Sequence, residues 1–130
     1  MASRLLKELR QMEKEPCNEI ILKPKNDSDL FVWAGWIRGP PDTPFENGLF
    51  ELDIQIPSRY PLQPPVIRFV TRVFHPNIHW ETGEICLDLL KNAWSAVYTL
   101  ENVCRSIMTL LAHPEPDSPL NCDAGNLLRS

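Results

Sequence analysis

No apolar run in this 130-residue chain is long enough to cross a bilayer. Its N-terminus opens on charged residues rather than on the apolar core of a signal peptide. No block of basic residues is present and the formal net charge is −4, which argues against nucleic acid as the main partner. There is no Gly-x-x-x-x-Gly-Lys loop, so nothing is placed to hydrolyse ATP. There is no lipidation signal and no Ser-Lys-Leu address. Cys17, Cys86, Cys104 and Cys122 form no Cys-x-x-Cys pair, and an intracellular chain of this size needs no disulfides. His75 and His79 are four apart, but Pro76 excludes the helix that would put them on one face. No metal and no cofactor are therefore expected. A soluble, cytoplasmic protein is expected instead, with no direct insertion into a membrane.

What is present suffices for one domain with a real core: 43% of the residues are apolar, and the length is too small for two domains. The 13 prolines are clustered and punctuate short elements rather than forming a disordered tract. Leu5, Leu6, Leu9 and Met12 recur at helical spacing, predicting a helix over residues 3–15 with Ser3 as its N-cap and Pro16 as its stop. Strands are predicted over residues 20–22, 30–38, 49–56 and 66–70. In the third of these, Phe50, Leu52, Ile54 and Ile56 alternate with Glu51, Asp53 and Gln55, the pattern of a half-buried strand. Short loops between consecutive strands indicate an antiparallel meander.

Residues 71–98 show no sustained period, which is uncommon in a compact domain unless the segment is functional. A helix returns with Thr99 as N-cap, and Leu100, Val103, Cys104, Ile107, Leu110 and Leu111 form its apolar face. Cys104 thus reads as a core residue. Residues 113–120 read as a proline-rich loop, and residues 123–128 as the start of another helix. The expected fold is α+β, with helices at both ends of a four-stranded antiparallel sheet and a long loop before the later helix.

That loop concentrates the chemistry. His75-Pro76-Asn77 makes a stiff turn, and Thr82-Gly83 a second reversal, after which Cys86 is the only thiol of the segment. A thiol on such a loop can be exposed and aimed, and a nearby amide can donate hydrogen bonds to an oxyanion, the outline of an acyl-transfer site. On pattern alone, Cys86 is equally a buried strand cysteine between Ile85 and Leu87. Asn77 is equally a turn asparagine bonded to its own backbone, and Leu62 a core leucine.

The order of these strings resembles the ubiquitin-conjugating enzyme family across nearly the whole chain. The resemblance is carried by Pro44-Phe45-Glu46-Asn47-Gly48, Tyr60-Pro61 with Pro64-Pro65, His75-Pro76-Asn77, and Gly83-x-Ile85-Cys86-Leu87. Lys91-Asn92-Ala93-Trp94-Ser95 and the stretch from His113 to Asn121 are similar to the peroxisomal, peroxin-4 type branch.

The resemblance implies that Cys86 accepts ubiquitin from an activating enzyme as a thioester and passes it to a lysine or cysteine. It implies that Asn77 stabilises the oxyanion or holds the loop that does so, with Asp117 and Ser118 at the gate where the acceptor enters. Those two are alternatively loop residues capping the next helix. Arg4, Leu62, Ser95 and Ala96 fall where the family meets its activating enzyme and RING-type ligases. The branch implies a docking protein at the cytosolic face of the peroxisomal membrane. Trp94-Ser95-Ala96-Val97 stands where the family has Trp-Ser-Pro-Ala, and loss of that proline is expected to loosen the loop. Residues 1–130 are expected to form a single catalytic core domain with the family's C-terminal helices truncated. A truncated relative that loads poorly and acts as a binding module is the alternative reading.

Overall fold

The computed structural model describes residues 2–115. Helix α1 spans Ala2–Lys14. Ser3 lies inside it rather than at its cap, so the helix begins earlier than the sequence suggests. The stripe that α1 buries runs through Leu5, Glu8, Leu9 and Met12, with Leu5 wholly inaccessible and Glu8 only 6% exposed. Leu6, expected on that stripe, lies 37% exposed.

The sheet is a four-stranded antiparallel meander in the order β1 (Ile20–Asn26), β2 (Asp29–Arg38), β3 (Leu49–Gln55), β4 (Val66–Phe69). Strand β1 continues well past Leu22, through Pro24. A proline is tolerated there because β1 is an edge strand, and the register shifts between Pro24 and Asn26. The turn to β2 is closed by Asn26, whose side-chain oxygen accepts from the Ser28 N–H (3.0 Å) and hydroxyl (2.8 Å). Between β2 and β3 the chain doubles back so tightly that the Gly39 N–H donates to Gly48 O at 2.9 Å. A Cβ at Gly39 would stand 1.7 Å from Phe45 O, so only glycine fits.

Helix α2 spans Leu100–Ala112, contacts β1 and β2, and buries the six apolar residues expected of it. They pack with Trp33, Ile37, Leu52, Ile54, Ile67 and Phe69 in one core, each aliphatic chain contributing about 1.5–3 kcal/mol. Cys104 belongs to this core. Burial, with Glu101 second, pushes its thiol up to about 12, so it stays an inert hydrophobe.

The aperiodic segment between β4 and α2 is ordered by hydrogen bonds to the sheet and to itself. Phe69 N–H donates to Gly83 O (2.9 Å), Gly83 N–H to His79 O (2.9 Å), and His79 N–H to Glu84 O (2.9 Å). Isolated antiparallel bridges link Arg68 to Glu84 and Ile78 to Ile85, and a single 3-10 turn follows at Asp88–Leu90. Gly83 has φ +76°, and a Cβ there would approach Phe69 O to 2.0 Å. The turn before Cys86 is thus seated directly on the last strand.

Candidate active site

Cys86 and Asn77 are brought together by the backbone: the Cys86 N–H donates to Asn77 O at 2.8 Å. Pairing of Ile78 with Ile85 sets the two turns side by side, so nine residues of sequence collapse into one contact. Of the two placements that the pattern left open for this thiol, the structure gives the buried one, with Cys86 only 4% exposed. Cys86 is disulfide-bonded in the structure, while Cys17 and Cys104 are free. A thioester forms only on the reduced thiol.

The Asn77 side chain is clamped at both ends to the chain leaving α2. Its Nδ2 donates to Glu115 O (2.7 Å), and its Oδ1 accepts from the Glu115 N–H (2.9 Å). Asn77 N–H donates to His75 Nδ1 (3.0 Å), which makes Nε2 the protonated nitrogen of His75 and the donor to Leu110 O (2.8 Å). Burial lowers the His75 pKa, and the bond to Leu110 only partly opposes it. His75 is a neutral strut between the turn and α2. His79 closes its own turn, its Nδ1 accepting from the Glu81 (3.2 Å) and Thr82 (3.1 Å) N–H groups. Asp117 and Ser118 lie outside the described residues, as do residues 123–128.

The second group of sequence candidates also converges. Arg4 bonds Glu8 through Nε (2.9 Å) and Tyr98 O through Nη2 (2.7 Å), and its guanidinium lies over the Tyr60 ring at 5.7 Å. Leu62 is 70% exposed, which favours the anchor over the core reading. Its loop is tied to the Ser95 loop by Trp94, whose Nε1 donates to Pro61 O at 2.8 Å. Arg4, Ala96 and Val97 line a common groove of about 530 Å³ between α1 and the start of α2. The loop lacking its proline is closed instead by Ser95, which accepts from Val97 N–H (3.4 Å) and Tyr98 N–H (3.1 Å).

Sequence reasoning passed over Glu8 and Glu115, and gave no role to the side chains of Trp94 and Val97. Glu8 had a signal: it is a carboxylate three residues after Leu5 and four before Met12, in the middle of an apolar stripe. Glu115 had none, since it acts through its backbone. Among the described residues no group of three or more His, Cys, Asp or Glu side chains could hold a metal, and no helix is long and apolar enough to cross a membrane.

The ubiquitin-conjugating enzyme family model matches residues 4–130. The ubiquitin-conjugating enzyme E2 pex4 of Dictyostelium discoideum is 64% identical over 130 residues, covering 100% of this chain and 87% of that protein. Protein PEROXIN-4 of Arabidopsis thaliana is 54% identical over 132 residues, covering 98% of this chain and 82% of its own length. Among solved structures, the chain superposes on the ubiquitin-conjugating enzyme Pex4p of H. polymorpha, crystallised with the soluble domain of Pex22p. The TM-score is 0.88 and the identity 41%, over 98% of this chain and 87% of that one. A Toxoplasma gondii ubiquitin-conjugating enzyme domain gives a TM-score of 0.85 at 40% identity, over 98% and 86%. With the cysteine and asparagine turns paired at the sheet edge and the match running along the whole chain, the protein belongs to the ubiquitin-conjugating enzyme family and is similar to its peroxin-4 members.

Proposed function

We propose that reduced Cys86 takes ubiquitin from the activating enzyme as a thioester and that the chain then transfers it to a lysine or cysteine of an acceptor. In loading, the Cys86 sulfur attacks the carbonyl of the thioester on the activating enzyme, whose thiol leaves with the proton. In discharge, the acceptor nitrogen or sulfur attacks the same carbonyl and Cys86 is released. Asn77 acts at the second step by holding the turn over the reacting carbon or by donating to its oxyanion. Asp117 and Ser118 are assigned to the acceptor gate on their place in the sequence. The pairing of Cys86 with Asn77 through one backbone hydrogen bond is the observation that carries this reading.

The acceptor is inferred to be a peroxisomal import receptor, reached with a RING-type ligase. Recruitment to the cytosolic face of the peroxisome is assigned to a membrane docking protein. The complex of H. polymorpha Pex4p with the soluble domain of Pex22p supports that partner class. The deep burial of Cys86 favours a second reading, in which the chain docks pathway partners without loading.

One assay separates the two. Protein reduced beforehand is incubated with activating enzyme, ATP and ubiquitin, and then run with and without reductant. Carrier function gives an adduct that reductant releases, lost in Cys86→Ala and converted to a more stable oxyester in Cys86→Ser. A reductant-labile adduct on Cys86→Ala overturns the assignment of the nucleophile, and no adduct on the wild type leaves the binding module.

A further inference from the structure

Glu8 is a nearly buried carboxylate that neither loading nor discharge uses, and its partners come from three separate stretches of chain. Its Oε2 accepts from Arg4 Nε (2.9 Å) and from the Tyr60 hydroxyl (2.6 Å), and its Oε1 accepts from the Leu100 N–H (2.8 Å). Arg4 stands one turn earlier on α1. Tyr60 heads the loop that carries Leu62. Leu100 begins α2 and ends the segment that carries Ser95, Ala96 and Val97. The Arg4 guanidinium extends the link to Tyr98 O, and the rings of Tyr60, Trp94 and Tyr98 pack in sequence, tilted, with centroids 5.8 and 5.9 Å apart.

A buried carboxylate is costly unless its lone pairs are met, and here two donors and an ionic partner meet them. The Leu100 N–H is also one of the unsatisfied donors that any helix N-terminus presents, a favourable place for negative charge. The side chains these stretches present outward are among the most exposed apolar groups of the described residues: Leu62 at 70% and Val97 at 78%. The hydrogen bonds of Glu8 go to Arg4, Tyr60 and Leu100 and not to either of these side chains.

We infer that Glu8 is a positioning residue of the surface that engages the activating enzyme and the ligase, fixing Arg4, the Leu62 loop and the 95–97 loop relative to one another through one carboxylate. The inference rests on the carrier function proposed above. Neutralising Glu8 loosens the mutual placement of three segments that a partner must meet at once, while Cys86 and Asn77, bonded to other parts of the chain, keep their geometry.

The test is loading kinetics of the reduced full chain against a titration of activating enzyme. It compares wild type, Glu8→Gln, Tyr60→Phe and a control, Asp53→Asn, which breaks the Lys25–Asp53 pair between β1 and β3. Glu8→Gln is expected to raise the half-saturating concentration about tenfold with the maximal rate within about twofold. Tyr60→Phe, which removes one donor and keeps the ring, raises it about threefold, and Asp53→Asn leaves it unchanged. An unchanged half-saturation in Glu8→Gln overturns the inference, as does a fall confined to the maximal rate. If Glu8→Gln does not fold, Tyr60→Phe decides, and wild-type half-saturation there overturns it. A wild type that does not load at all overturns the carrier function and this inference together; a wild type that loads normally beside an unaffected Glu8→Gln overturns this inference alone.

Discussion

Asn77 uses both ends of its amide on the backbone of Glu115, and that doubles its expected mutant phenotype. Asn77→Ala leaves a backbone N–H and carbonyl without their partner, a loss of about 2 kcal/mol that a melting curve reads as a drop of several degrees. If the amide also serves the oxyanion, discharge to free lysine falls about 100-fold while loading holds. A lowered melting temperature with full discharge leaves only the clamp; slow discharge at unchanged melting temperature leaves only the oxyanion. His75 gives a pH signature. Its folded pKa lies below the ordinary 6.5, so the unfolded chain binds a proton that the folded chain refuses. The stability that neutral His75 contributes is complete above about pH 6.5 and drains away as the pH falls below it. Melting temperatures from pH 8 to 5 are expected to fall more steeply for the wild type than for His75→Gln, and parallel slopes would remove His75 from the account.

At the scale of elements, α2 was legible almost residue by residue. Its apolar spacing is local, and so is its cap: Thr99 Oγ1 accepts from the Asn102 N–H (3.1 Å) while Asn102 Oδ1 accepts from the Thr99 N–H (2.9 Å). Thr99→Ala is expected to cost about 1 kcal/mol, checked by denaturant titration with an unchanged slope. Strand β3 was legible for the same reason, since alternation is a property of neighbours. The far half of β1 was not, because Pro24 reads locally as a breaker and only the edge position excuses it. Glu8 escaped for a related reason. Its bonds to Tyr60 and Leu100 span 52 and 92 residues, and no periodicity reports such contacts. The burial of Cys86 was one of two open readings rather than a prediction, because the string Gly-x-Ile-Cys-Leu fits an aimed thiol and a strand cysteine equally well.

Across the whole molecule, the two candidate regions are held by different parts of the fold. The Cys86 turn hangs on β4 and the end of α2, and the segments proposed to meet partners hang on α1 and the start of α2. Substituting the outward side chains of the second region is therefore expected to change partner use more than folding. Leu62→Ala and Val97→Ser should leave the melting temperature nearly untouched, as exposed positions do, within about 0.5 kcal/mol. Ligase-stimulated discharge is expected to fall at the same time, and a matching loss of thermal stability would make these side chains packing residues instead.

Trp94 carries a last consequence of that arrangement. It is half-buried, wedged between Tyr60 and Tyr98 with its indole N–H on Pro61 O, and it bridges the two loops that bear Leu62 and Val97. Of the other three tryptophans, Trp33 is sealed in the core, Trp36 lies within β2, and Trp80 lies under the Arg72 guanidinium and edge-on to Phe74. The protein thus holds its own optical gauge of occupancy. A partner settling over the two loops displaces water from around this indole, so its fluorescence should shift to the blue on titration, and Trp94→Phe should extinguish the shift.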